Sequence, residues 1–197
     1  MAPLPLIDVF PESAAETLNL AELFGRDAPV QVDLGCGDGS FLAQLAAERP
    51  DTNFLGIERL LHRVRSSHRK GADLPNVRII RSETLFVLQH LLPAGSIEAF
   101  YLLFPDPWPK RRHHRRRVVT TAFLTAINNR LTSNGALFIA TDDDDYFRAI
   151  QRLTSSGQHF AAVTSDWKLP ATTFEKKFVA SGVPIHRLEL RKVSPVA

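Results

Sequence analysis

The amino-acid sequence predicts an α/β fold: a doubly wound, mostly parallel sheet of seven strands with an antiparallel hairpin at one edge. Three observations predict it. Short apolar runs alternate with segments of helical spacing from Val30 to Ser155. The first run ends in the glycine cluster GCGDG (Gly35 to Gly39), where a strand would pass into a helix. The last two apolar runs have no obvious long helix between them, as in an antiparallel pair.

Residues 1–29 contain Pro3, Pro5, Pro11 and Pro29, with a short helical pattern from Ser13 to Phe24. They read as an N-terminal arm packed on a single domain that spans 30–197. Val30 to Leu34 is the first strand of that domain. Phe41 to Ala47 has helical spacing, opened by Ser40 as a cap. Asn53 to Ile57 reads as a strand, and Arg59 to Lys70 as a polar helix closed by Gly71. Val77 to Arg81 is a strand, Leu85 to Leu92 a helix, and Ile97 to Phe104 a long apolar strand. Val118 to Leu131 is a helix, after which Asn134-Gly135 turns the chain into the strand Ala136 to Thr141. Asp144 to Ser155 is a helix, and Ala161 to Ser165 and Ile185 to Leu190 are the late strands.

The chain has 197 residues, of which 44% are hydrophobic, enough for one domain with a real core. Its net charge of +3 hides an asymmetry: Lys110 to Arg117 alone carries +6, so the remainder sums to −3. Such local basicity points to a polyanion-binding patch. The single cysteine, Cys36, excludes an intrachain disulfide and suits a reducing compartment, so a cytoplasmic protein is expected. Neither a membrane span nor a signal peptide is expected from the hydropathy.

VDLGCGDGSF (Val32 to Phe41) places a glycine turn at the carboxyl end of the first strand, where open α/β sheets bind ligands. Gly35 and Gly37 let the backbone approach a ligand closely. The spacing is G-x-G-x-G, not the G-x-G-x-x-G of dinucleotide binders, and Asp33 precedes it. That acid repels a pyrophosphate but suits a ligand bearing an amino group or a sulfonium. Glu58 ends the next strand, where an acid can take both hydroxyls of a ribose, and Glu83 follows the third. Cys36 reads as a small packing residue, since nothing nearby supplies a base.

FPDPWPKRRHHRRR (Phe104 to Arg117) follows the fourth strand at the same edge. Pro105 and Pro107 restrict the backbone around Asp106, and Trp108 offers a flat surface. A fixed carboxylate beside an aromatic face suits guanine, which presents N1–H and N2–H donors and a π-face. Arg111, Arg112, Arg115 and Arg116 would then meet RNA phosphates. His113 and His114 lack a third ligand and lie among arginines, which argues against a metal.

The same segment resembles the signature of the bacterial tRNA (guanine-N7-)-methyltransferase family, within the Rossmann-like class I methyltransferases that use S-adenosylmethionine (SAM). DLGCGDGSF with FLGIE, ATDDDDY (Ala140 to Tyr146) and TTFEKKF (Thr172 to Phe178) are also similar to that family, so the resemblance runs from about Val30 to the C-terminus. It implies SAM as cofactor, tRNA as partner, and methylation of a guanine at N7, expected at tRNA position 46 in the variable loop. By the same resemblance Asp33, Glu58, Glu83 and Asp106 correspond to SAM-contacting acids, with Asp106 beside the catalytic centre. Lys110, Asp142, Thr172 and Glu175 correspond to substrate-binding positions. Asp33 stands where the family often has Glu, Glu83 where it has Asp or Asn, and Pro109 where a histidine is common.

Thr172 and Glu175 also stand at capping-box spacing, and Asp143 to Asp145 suit a helix N-terminus. Three other functions compete: a methyltransferase of another RNA base, a non-catalytic SAM- or RNA-binding scaffold, and a nicotinamide oxidoreductase. The glycine spacing disfavours the last. The sequence leaves monomer and homodimer open.

Overall fold

The computed structural model describes residues 7–8, 17–155, 159–164 and 167–193. The elements follow in chain order: β1 (Ile7–Asp8), α1 (Leu20–Phe24), β2 (Val30–Leu34), α2 (Ser40–Glu48), β3 (Asn53–Glu58), α3 (Leu61–Gly71), β4 (Val77–Arg81) and α4 (Thr84–Phe86). A π turn, Val87–Leu91, extends α4; then come β5 (Ile97–Leu103), a 3-10 segment (Arg111–Arg116), α5 (Thr121–Arg130), β6 (Leu131–Thr141), α6 (Asp144–Thr154), β7 (Phe160–Val163), α7 (Thr173–Ala180) and β8 (His186–Lys192).

The sheet order is β1-β4-β3-β2-β5-β6-β8-β7. The seven expected strands are present, parallel from β4 to β6, with β8 and β7 antiparallel at one edge. The two-residue β1 adds an eighth strand at the other edge, parallel to β4. The strand order reverses between β2 and β5, which opens a crevice at their carboxyl ends.

Central strands covered on both faces read as continuous apolar runs, and β2 and β3 are buried at every position. On one face Val32, Leu55, Phe100 and Ile139 pack against Leu88, Phe123, Ile127 and Ile150. On the other, Phe54, Ile79 and Tyr101 pack against Phe41, Leu42, Leu45 and Val64 of α2 and α3. Asp33 stands on the central strand and is 4% exposed.

Several boundaries differ from the sequence reading, each for a local reason. The Ser13–Phe24 pattern begins outside the described residues; its described part forms α1, with Asn19 accepting from Glu22 N–H. Ser40 is the first residue of α2, not its cap: Gly39 takes that position, and Asp38 accepts from the Ser40 N–H at 3.1 Å. Gly71 is the last residue of α3 rather than a left-handed cap. The helix expected at Leu85 to Leu92 is α4 plus the π turn. Helix α5 starts three residues late because Thr120 caps it, accepting from Phe123 N–H at 3.1 Å. Asn134-Gly135 does not end a loop; it lies in a bulge within one long strand, since Ile97 pairs with Leu131 and Ala99 with Ala136. The expected strand at Ala161 to Ser165 is β7, its last expected residue lying outside the described residues. The β7–β8 connection carries α7, which brings Thr172 back toward the glycine turn. Among the described residues no helix is long and apolar enough to cross a membrane.

Candidate active site

The crevice holds two adjoining cavities. One, of about 240 Å³, is walled by Asp33, Gly35, Gly37, Phe41 and, from α7 and its cap, Phe174 and Thr172. The other, of about 470 Å³, is walled by Glu58, Arg59, Glu83, Asp106, Trp108 and Arg116. Gly35, Arg63, Leu103 and Phe104 belong to both walls, so the two cavities adjoin in one crevice.

The glycine turn is built for close approach. Gly35 is left-handed (φ +79), and a Cβ there would meet nothing within 4 Å, because that side opens into the cleft. The Gly35 and Cys36 N–H groups both donate to the Ile57 carbonyl, at 2.8 and 3.0 Å. Gly39 (φ +77) is required twice over, since a Cβ would lie 2.6 Å from Ser67 Cα of α3. Lys70 and Ser40 hydrogen bond to Asp38; these bonds outweigh a burial effect of opposite sign and lower its pKa.

Burial pushes Asp33 up to about 8, and the neighbouring Glu58 charge adds to the rise. Glu58 is 5% exposed. Its Oε1 accepts from the N–H groups of Arg59 and Leu60, both at 2.9 Å. Its Oε2 accepts from Gly37 N–H at 3.2 Å and stands 3.9 Å from Arg63. Glu58 thus braces the turn while Oε2 keeps acceptor capacity toward the cleft. Glu83 is exposed and pairs with Arg59 at 3.6 Å. Burial also pushes the Cys36 thiol well above its usual pKa, and it packs 3.7 Å from Ser67 Oγ.

The Asp106 loop is strained at both ends. Phe104 (φ 54) and Trp108 (φ 47) are left-handed non-glycine residues bracketing Pro105-Asp106-Pro107. Each such residue costs on the order of 1–3 kcal/mol and persists only where its surroundings fix it. Phe104 N–H donates to Ala140 O at 2.8 Å, and its ring meets Phe178 at 5.4 Å. Arg117 supplies the other anchor: its Nε donates to the Pro107 carbonyl at 2.8 Å and its Nη2 to Asp145 Oδ2 at 2.7 Å. Its guanidinium stacks 4.7 Å above the Tyr146 ring. The Arg117 hydrogen bond holds the Asp145 carboxyl below its usual range. Asp106 itself is exposed at the apex.

Asp33, Gly35, Gly37, Glu58, Glu83, Asp106, Arg116 and Thr172 therefore come together around one cleft. Thr172 caps α7, its Oγ1 accepting from Glu175 N–H at 3.0 Å. Glu175 lies outside both cavity walls, paired with Arg187. Lys110, Arg111, Arg112 and Arg115 also lie outside them, on the exposed 3-10 segment and its cap. Asp142 follows the end of β6 and lines neither cavity. Asp143 caps α6, accepting from Tyr146 N–H at 2.7 Å, and Asp144 pairs with Arg148.

Three features escaped the sequence reading. Arg63 sits between the two cavities, at a helical position with no motif to flag it. Arg117 is a strut, although only its place next to Val118-Val119 separates it from the exposed arginines. Arg116 lies over the Trp108 ring at 4.8 Å, so that ring is not the bare platform the sequence suggested.

A family model described as "Putative methyltransferase" matches residues 27–188. The tRNA (guanine-N(7)-)-methyltransferase of Halorhodospira halophila is 37% identical over 185 residues, 88% of this chain and 79% of that protein. The protein of the same name from Geobacillus thermodenitrificans is 34% identical, over 92% of this chain and 88% of its own length. The one from Thermotoga maritima is 33% identical over 89% of this chain, which spans 58% of that relative's length. Among solved structures, the 16S rRNA methyltransferase KamB aligns with a TM-score of 0.64 at 14% identity, over 91% of this chain and 95% of its own. A Streptococcus mutans protein described as "a putative methyltransferase", solved in complex with SAH, aligns at 0.57 and 14% identity, over 85% of this chain and 90% of its own. At such identities the structures establish the shared fold, and the longer sequence matches establish the lineage: the chain belongs to the tRNA (guanine-N(7)-)-methyltransferase family.

Proposed function

We propose that the chain transfers the methyl group of SAM to N7 of a guanine in tRNA, at position 46 of the variable loop, forming 7-methylguanosine. One observation carries this reading: the cavity at the buried glycine turn and Asp33 adjoins the one at the exposed Asp106 apex through the shared wall at Phe104, which is where a methyl donor and a flat base would meet.

The residues fit SAM. A buried acid with its pKa at about 8 is short of a positive partner, which an amino group or sulfonium would supply. The side of Gly35 that lacks a Cβ leaves room for the ligand backbone, and Glu58 Oε2 can accept from a ribose hydroxyl. We assign Asp33, Gly35, Gly37, Glu58 and Glu83 to holding SAM, with Asp106 at the junction. When bound, SAM supplies a methyl on a cationic sulfur: the N7–carbon bond forms as the carbon–sulfur bond breaks, its electron pair returns to sulfur, and the charge passes to the purine.

Guanine N7 carries no proton, so the chain needs no general base and its main work is positioning. Asp106 accepts from the guanine N–H edge and offsets the charge that develops on the ring. Its strained loop fixes that carboxylate. Lys110, Asp142, Thr172 and Glu175 hold the substrate around it, and Arg111, Arg112, Arg115 and Arg116 meet flanking phosphates. The cytoplasm, which holds tRNA and keeps Cys36 reduced, is the proposed location.

The test is methyl transfer from labelled SAM to unmodified tRNA, followed by nucleoside digestion and mass spectrometry. The expected product is 7-methylguanosine, lost when guanine 46 is replaced. A different methylated nucleoside would overturn the substrate assignment and retain the methyltransferase.

A further inference from the structure

Two segments of this chain carry several positive charges with no acid among them. Lys110 to Arg117 carries +6 and Arg59 to Lys70 carries +5, so against a net +3 the rest of the chain sums to −8. The first segment has a role in the proposed function; the second is the β3–α3 turn and helix α3, whose polarity no part of that function uses. Helix α3 contains no acid. By contrast, α6 pairs Asp144 with Arg148 across one turn.

Geometry separates the two sides of α3. Val64, Ser67 and Gly71 are buried. Ser67 Oγ donates to Gly37 O at 2.8 Å, which fixes the helix to the glycine turn. His62, Arg65 and Arg69 are exposed, at spacing i, i+3, i+7, so they form one stripe roughly 10 Å long. Among the described residues no acid pairs with Arg65 or Arg69. The N-terminal end of this basic segment reaches the cleft, where Arg59 and Arg63 wall the same cavity as Trp108 and Arg116. Each basic segment thus contributes a lip to that opening, through Arg59 and Arg63 on one and Arg116 on the other.

We propose that α3 is a second RNA-backbone docking surface: His62, Arg65 and Arg69 hold phosphates on one side of the cleft while Arg111 to Arg116 hold those on the other, so that the tRNA strand spans the opening. Arginine forks suit phosphate oxygens, and both lips are anchored to the body, so two charged surfaces at a set separation favour an extended polyanion over a single anion. This inference rests on the proposed tRNA substrate.

The experiment compares wild type, Arg65→Gln/Arg69→Gln, and Arg152→Gln as a control on the exposed far end of α6. Binding of unmodified tRNA is measured across a salt series, beside SAM affinity and steady-state methyl transfer. Losing two phosphate contacts is expected to reduce the slope of log Kd against log salt by about two, raise KM for tRNA, and leave kcat and SAM affinity unchanged. The control should keep the wild-type slope. A double variant with the wild-type slope and KM would overturn the α3 surface while leaving the tRNA reading intact. A wild type with no salt-dependent tRNA binding would overturn both. Anionic phosphatidylserine vesicles bound by wild type and lost in the double variant, with tRNA binding unchanged, would assign the stripe to a membrane and overturn it as well.

Discussion

Burial raises the Asp33 carboxyl to about 8 because the central strand carrying it is covered on both faces. Between pH 3.8 and 8 the unfolded chain holds Asp33 ionised while the folded chain keeps it protonated, so folding takes up a proton and stability falls as pH rises through that window. Asp33→Asn should therefore stabilise the ligand-free protein near pH 7 by at least about 1 kcal/mol, seen as a Tm gain of roughly 2–4 °C that vanishes near pH 4. The same variant should weaken SAM binding severely. Wild-type binding below pH 8 should release a proton, detectable by calorimetry in buffers of different ionisation enthalpy; binding without release would show that no cation meets Asp33. Asp106 is tested separately: Asp106→Asn should lower kcat by about 10²-fold with unchanged tRNA affinity, and full turnover would remove it from the chemistry. The positions of Asp33, Glu58 and Asp106 near the cleft were legible in the sequence because each lies at or close to the end of an apolar run, and the fold puts such ends at one edge. The left-handed backbone at Phe104 and Trp108 was not, since neither residue type encodes a positive φ.

The elements around the cleft are tied by contacts between segments distant in sequence. Arg117 joins the Asp106 loop to α6 through Pro107, Asp145 and Tyr146. Arg117→Gln should cost about 1–3 kcal/mol and free the loop, lowering kcat far more than it changes SAM affinity. The chain has two tryptophans, so in a Trp167→Phe background the emission of Trp108 reports the loop alone. A red shift with raised mobility is expected on Arg117→Gln. Arg117→Lys should not reverse it, because an ammonium cannot both fork and stack. Unchanged emission would show that the loop holds itself. The basic run looks uniform in sequence, yet it divides into exposed Lys and Arg residues, two half-buried histidines and one buried strut. That division depends on α6, which is far away along the chain. Helix starts were misread for a related reason: a Ser or Thr signals a cap, but Asp38 and Gly39 already turn the chain before Ser40.

At the scale of the whole molecule the sheet class and its parallel body followed from periodicity, whereas the antiparallel edge was inferred from the lack of a long connecting helix and holds although the short α7 lies in that connection. The bulge in β6 and the two-residue β1 did not, because both depend on a partner strand rather than on local pattern. One consequence belongs to Cys36. The chain has a single thiol, it is 7% exposed, and it lies in the wall of the cavity beside Asp33. An alkylating reagent reaches it only when the glycine turn opens, so the rate of labelling is a clock for that opening, read at one atom without any engineered probe. SAM should slow the clock in proportion to occupancy, while denaturant should speed it. The molecule thereby carries its own stoichiometric gauge of how often its innermost pocket comes undone.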